Sequence, residues 1–175
     1  MWGRGGLGTR CLFGQVERWR RPGDPDIMEN PASLAPAARL LGYAGLLPLI
    51  GCAAGLGLVP MHRAPLLDAG FGYAALIFSF LGGLWWGQGI ARGKASPALF
   101  TIAVLPSLVA WGLMLLRLLG WTTQEALLVL GAAILLSPVV DLALARKQAT
   151  VYGWIALRLQ LSTGLGALTL ALAIL

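Results

Sequence analysis

Polar and apolar positions along this chain separate into blocks rather than alternating. Residues 1–37 are polar, basic and rich in Gly and Pro, with RWRRPGDPD at their centre. Five apolar runs follow, at about 40–59, 71–91, 98–119, 124–144 and 151–175. A run of about 20 residues crosses ~30 Å of hydrocarbon at ~1.5 Å per residue. The breaks between runs are VPMHRAPLLDAG, ARGKASP, GWTTQE and ARKQAT. Backbone in lipid must satisfy its own hydrogen bonds, and the runs lack the alternation of a barrel strand. Each run therefore predicts a helix. The predicted fold class is all-α: an integral membrane bundle of five transmembrane helices over 38–175, preceded by a disordered basic tail over 1–37. Pro48, Pro106 and Pro138 fall inside helices one, three and four. Modest kinks are expected there.

Composition sharpens this picture. The chain is 58% hydrophobic and 11% charged, with mean hydropathy +0.78. Soluble domains carry about 25% charged residues. A soluble globule could not clothe itself with so few. The net charge of +6 does not point to nucleic acid, because the basic residues sit in short segments between apolar runs rather than on one folded face.

Those segments set an expected orientation. Arg4, Arg10, Arg18, Arg20, Arg21 and Arg39 precede the first run. Arg92 and Lys94 lie in the second break, and Arg146 and Lys147 in the fourth. The first break has only Arg63, and the third has no Lys or Arg. Arg117 closes the third run and can snorkel outward. The N-terminus is then cytoplasmic and Leu175 outside. Tyr43, Trp85, Trp86, Tyr152 and Trp154 fall toward the predicted cytoplasmic boundary, and Trp121 toward the other, as interfacial aromatics do. The expected location is the bacterial inner (cytoplasmic) membrane. The Arg-rich tail leaves the mitochondrial inner membrane as the alternative. MENPASLAPAARLLGY, from Met28, reads as a second candidate start, which would make residues 1–27 an upstream extension. N-terminal sequencing decides between the two.

Residues that could carry chemistry are few. Cys11 lies in the tail and Cys52 in an apolar run, so they suggest neither a CxxC pair nor a disulfide framework. His62 is the single histidine, and a site built from His and Cys ligands is not expected. No phosphate-cradling Gly loop, HExxH or nucleophile elbow is present. Asp68 and Glu125 fall at the edges of breaks. Two charges lie within apolar runs: Asp141 near the end of helix four and Arg158 about two turns into helix five. Ionisable groups at such depths cost a few kcal/mol each, face inward and pair. Helices four and five are antiparallel neighbours across a short break, so an Asp141–Arg158 ion pair is expected. Trp154, Arg158, Ser162 and Thr169 share the polar face of the last helix, and Trp154 is placed for a cation–π contact with Arg158.

The stretch SFLGGLWWGQG over 79–89 raises a packing question. At ~100° per residue, Gly72, Ala75, Ser79, Gly83 and Trp86 form a small-residue stripe flanked by Gly82 and Gly87. Gly83 and Gly87 make a GxxxG pair, which lets another helix approach closely. Trp86 is then expected in the seam and Trp85 nearer lipid.

LGYAGLLPLI at 41–50, YAALIFSFLGGLWWG at 73–87 and LRLQLSTG at 157–164 together resemble domain-of-unknown-function family 3429, whose members are small multi-pass membrane proteins. A eukaryotic mitochondrial transmembrane protein is similar to that family. The resemblance spans about 38–175. It implies a closing pattern of carboxylate, aromatic pair and Leu-Arg, which Asp141 to Arg158 resembles. It also implies a polar residue before the tryptophan of the second motif, where this chain has Trp85. It implies no reaction. The tryptophan-rich sensory proteins share the span count and the tryptophan content, but their Pro-x-Trp-x-Pro-Pro motif is missing.

The expected function is a non-enzymatic membrane protein that packs with itself or with a membrane partner in the lipid bilayer, without nucleic acid, cofactor or metal. The alternative is a binder or transporter of an amphipathic or anionic small molecule or lipid near Asp141 and Arg158.

Overall fold

The computed structural model describes residues 36–91, 97–145 and 152–175. Residues 1–35 of the tail expected to be disordered, and the basic segments with Arg92, Lys94, Arg146 and Lys147, lie outside these residues, while Pro36 and Ala37 already belong to α1. The elements are α1 (Pro36–Ala44), α2 (Leu47–Leu58), a 3₁₀ turn (Pro60–His62), α3 (Arg63–Ala91), α4 (Pro97–Leu118), α5 (Thr123–Ala145) and α6 (Tyr152–Ile174). Among the described residues there is no strand. Five spans are long and apolar enough to cross a membrane: Pro36–Leu58, Pro60–Ile90, Pro97–Leu118, Thr123–Ala143 and Gly153–Ile174. The described residues thus form only helices and turns, with the span count that the hydropathy predicts.

The first span is broken rather than kinked. Pro48 sits at the start of α2, where its missing N–H costs little. Gly45 and Leu46 turn the chain between α1 and α2, with Leu46 N donating to Tyr43 O at 3.0 Å. The Tyr73 hydroxyl donates to Gly45 O at 2.5 Å and so satisfies a carbonyl at the break. Pro106 and Pro138, by contrast, lie inside continuous helices.

The first interhelical connection is shorter than the polar break suggests. Helix α3 starts at Arg63, so Asp68 belongs to a helix instead of a loop edge. Pro65 is tolerated because it falls in the first turn. His62 is exposed in the 3₁₀ turn. Between α4 and α5, Gly120 takes φ +110° and Trp121 N donates to Leu116 O at 3.0 Å, which closes α4. Thr122 and Glu125 then open α5 as a capping box. Thr122 N donates to Glu125 Oε2 at 2.8 Å, and Glu125 N to Thr122 Oγ1 at 3.2 Å.

Helices α5 and α6 pack closely through glycines. A methyl at Gly131 would meet Leu170, and one at Gly166 would meet Leu135 at 2.7 Å. The buried face of α3 carries Phe71, Ala74, Ala75, Phe78, Leu81 and Trp85. On this face Gly82 lies against the backbone carbonyl of Ala103 on α4. The stripe of small residues divides between the bundle and its outer surface. Ala75 is buried and Ser79 Oγ lies 2.7 Å from Ser107 Oγ. Side chains added at Gly72, Gly83 or Gly87 would meet nothing within 4 Å. The α4 neighbour thus covers one side of that stripe and leaves the side with Gly72, Gly83 and Gly87 open.

Candidate functional site

The two tryptophans exchange their expected places. Trp85 is 3% exposed and Trp86 is 42% exposed. Trp86 packs its ring against Phe100, centroids 4.7 Å apart, near the outer surface of α3 and α4. Trp85 turns inward among Leu99, Ala103 and Val140. The reason is chemical as well as steric. An indole N–H in an apolar interior needs an acceptor, and Trp85 Nε1 donates to Asp141 Oδ1 at 2.8 Å.

The same carboxylate oxygen accepts from Arg158 Nη2 at 2.7 Å. Both charged residues are buried, Asp141 at 9% and Arg158 at 6% exposure. Arg158 lies six residues into α6, roughly 9 Å at ~1.5 Å per residue. Two opposite charges here form a neutral unit. Low dielectric strengthens their attraction and makes each costly without the other. The cluster ties α3, α5 and α6 at one end of the bundle. Among the described residues, two of its buried polar atoms have no hydrogen-bond partner, Asp141 Oδ2 and Arg158 Nε.

The rest of the polar face of α6 divides. Ser162 and Thr169 are buried. Thr169 Oγ1 donates to Leu165 O at 2.8 Å, within its own helix. Trp154 is half-buried. Among the described residues, the arginine that stacks on a ring is Arg117, 4.8 Å above Phe71, rather than Arg158 on Trp154.

Arg117 also departs from the expected outward snorkel. Its Nη2 meets Asp68 Oδ1 at 2.5 Å and Thr123 Oγ1 at 2.9 Å. This second cluster joins α3, α4 and α5 at the opposite end. Asp68 is half-exposed there, so solvent and headgroups screen the pair. Sequence reading missed it because Asp68 was assigned to a break.

A cavity of about 290 Å³ adjoins the first cluster. Gly42 of α1, Leu46 at the break, Leu84 of α3, and Trp154, Arg158 and Leu161 of α6 contribute to its wall. Ser162 lines it as well, and among the described residues no acidic side chain does. The break between α1 and α2 bends α1 over α6, where the Tyr43 hydroxyl donates to Gln160 Oε1 at 2.5 Å. The arrangement can bind: a buried guanidinium at the edge of an apolar cavity, held by an aspartate that lies outside the lining. No feature of the sequence signals the cavity, because it depends on the α1–α2 bend.

A family model described as a protein of unknown function (DUF3429) matches residues 34–174. No curated protein and no solved structure matches the chain.

Proposed function

The chain belongs to the DUF3429 family, and from that premise we propose that it is a non-enzymatic multi-pass membrane protein that binds an amphipathic molecule in the cavity beneath α1. One observation carries this reading. Arg158, buried and less than two turns inside a membrane-spanning helix, lines a mostly apolar cavity. The cavity opens past the exposed Leu41 and Phe80, so an amphipathic molecule can enter it from the bilayer. Small-molecule sites combine apolar walls with a few placed polar groups, as here. The test is native mass spectrometry of the full chain in mild detergent. A small-molecule adduct is expected, and Gly42→Leu, which fills the cavity from α1, should lose it while keeping its helix content. A folded wild-type protein without adduct, in which added amphiphiles also fail to bind, overturns the proposal.

Self-association is the second reading. It is supported by the open space outside Gly72, Gly83 and Gly87, a surface that another helix can approach.

A further inference from the structure

We propose that the cavity takes a single-chain amphiphile with an anionic oxygen headgroup, its head on the Arg158 guanidinium and its chain between α1 and α3; this rests on the reading of the cavity as a binding site. The first support is the donor balance. An arginine offers five N–H donors. Among the described residues, Arg158 makes one hydrogen bond, from Nη2 to Asp141; its Nε is unpaired but occluded, so the donors left for a ligand are those of Nη1, which makes no hydrogen bond. Asp141 Oδ1 already accepts from both Trp85 and Arg158. Asp141 is not part of the lining, so a molecule in the cavity meets the donor and not the carboxylate. Spare donors on a guanidinium recognise carboxylate or phosphate oxygens.

The lining gives the second support. The described residues put no acidic side chain in the wall, so none of them repels an anionic head there. A cationic head would face Arg158 uncompensated. Trp154 and Ser162 lie one turn to either side of Arg158 on α6 and also line the cavity. They place a polar edge beside the guanidinium, while Leu46, Leu84 and Leu161 present hydrocarbon to a chain. Size gives the third. About 290 Å³ sits at the bottom of the roughly 300–1,000 Å³ span of small-molecule sites. That suits one chain better than the paired chains of a bilayer phospholipid.

Asp141 has a definite part in this arrangement. It fixes the arginine and neutralises it, so that the helix tolerates the charge when the cavity is empty. Recognition then depends on oriented donors at short range rather than on net charge.

The experiment titrates dodecanoate, dodecyl phosphate, dodecanol and dodecyltrimethylammonium into the full chain in zwitterionic nanodiscs, with tryptophan fluorescence as readout. Dodecanoate and dodecyl phosphate should bind at least tenfold more tightly than dodecanol, and the ammonium most weakly. The double variant Asp141→Asn/Arg158→Gln keeps a neutral pair and should erase the preference while still binding dodecanol. Gly42→Leu should abolish binding of all four. Equal binding of dodecanoate and dodecanol overturns the headgroup assignment and leaves the cavity reading intact, as for a site filled by any lipid tail. Failure of all four to bind the wild-type protein overturns both. Unchanged dodecanoate binding in Gly42→Leu places the site elsewhere and also overturns the inference. Loss of dodecanoate binding on dimerisation gives the cavity to a second copy and does the same.

Discussion

Asp141 Oδ1 accepts one hydrogen bond from a neutral indole and one from a guanidinium, and each donor can be removed separately. Arg158→Gln leaves a buried carboxylate without its counter-charge, and Asp141→Asn leaves a buried cation. Each should cost about 3–5 kcal/mol, the usual range for breaking a buried pair. The double variant should lose clearly less than the sum, because the partner it would strand is gone. Equilibrium unfolding in detergent measures this, and additive losses would separate the two residues energetically. Trp85→Phe keeps an aromatic ring but removes the N–H and part of the buried volume, so at least about 1–3 kcal/mol should be lost. Trp86→Phe, at a half-exposed position, should stay within about 0.5 kcal/mol. A larger loss at Trp86 than at Trp85 would contradict the assignment of the indole to Asp141. The nearness of Asp141 and Arg158 could be read in the sequence from depth and helix adjacency. The third member could not. Trp85 and Trp86 have the same composition signal, and only the rotation of α3 against α4 and α5 decides which indole finds a carboxylate.

Helix existence is legible because lipid leaves the backbone few choices; helix rotation and breaks are less so. A proline in an apolar run reads as a kink. At Pro48 it marks a new helix start, because Gly45 and Leu46 turn first and Tyr73 takes up a freed carbonyl. The α3 glycines show the same limit. Gly82, Gly83 and Gly87 are equivalent in sequence, but only Gly82 meets a neighbouring backbone. Gly82→Ala places a methyl against the Ala103 carbonyl, and overpacking of this kind should cost about 1–3 kcal/mol. Gly83→Ala and Gly87→Ala meet open space and exchange glycine for a better helix former. Their monomer stability should be unchanged or slightly raised. A parallel fall in melting temperature across all three variants would show that the contact on α3 lies elsewhere. If Gly83→Leu instead shifts the chain toward monomer in native mass spectrometry, the outer stripe is an assembly surface.

On the scale of the whole molecule, the two charged clusters mark opposite ends of one bundle. Asp141, Trp85 and Arg158 close α3, α5 and α6 at one end, and Asp68, Arg117 and Thr123 close α3, α4 and α5 at the other. Arg117 is engaged by Asp68 and Thr123, so it contributes less free positive charge to its end than its sequence position suggests. Arg39, Arg92, Lys94, Arg146 and Lys147 all belong to the Arg158 end of the span order, against Arg63 at the other, where its Nη1 donates to Leu175 O at 2.7 Å. Basic flanks are retained in the cytoplasm. The Arg158 end, with the mouth of the cavity near α1, is therefore predicted to face the cytoplasmic leaflet. Single cysteines test this in a background with Cys11 and Cys52 replaced by serine. In intact cells, a membrane-impermeant thiol reagent should label His62→Cys and Gly120→Cys from outside. Ser96→Cys should react only after permeabilisation. The reverse pattern would invert the molecule, and the cavity would then load from the outer leaflet.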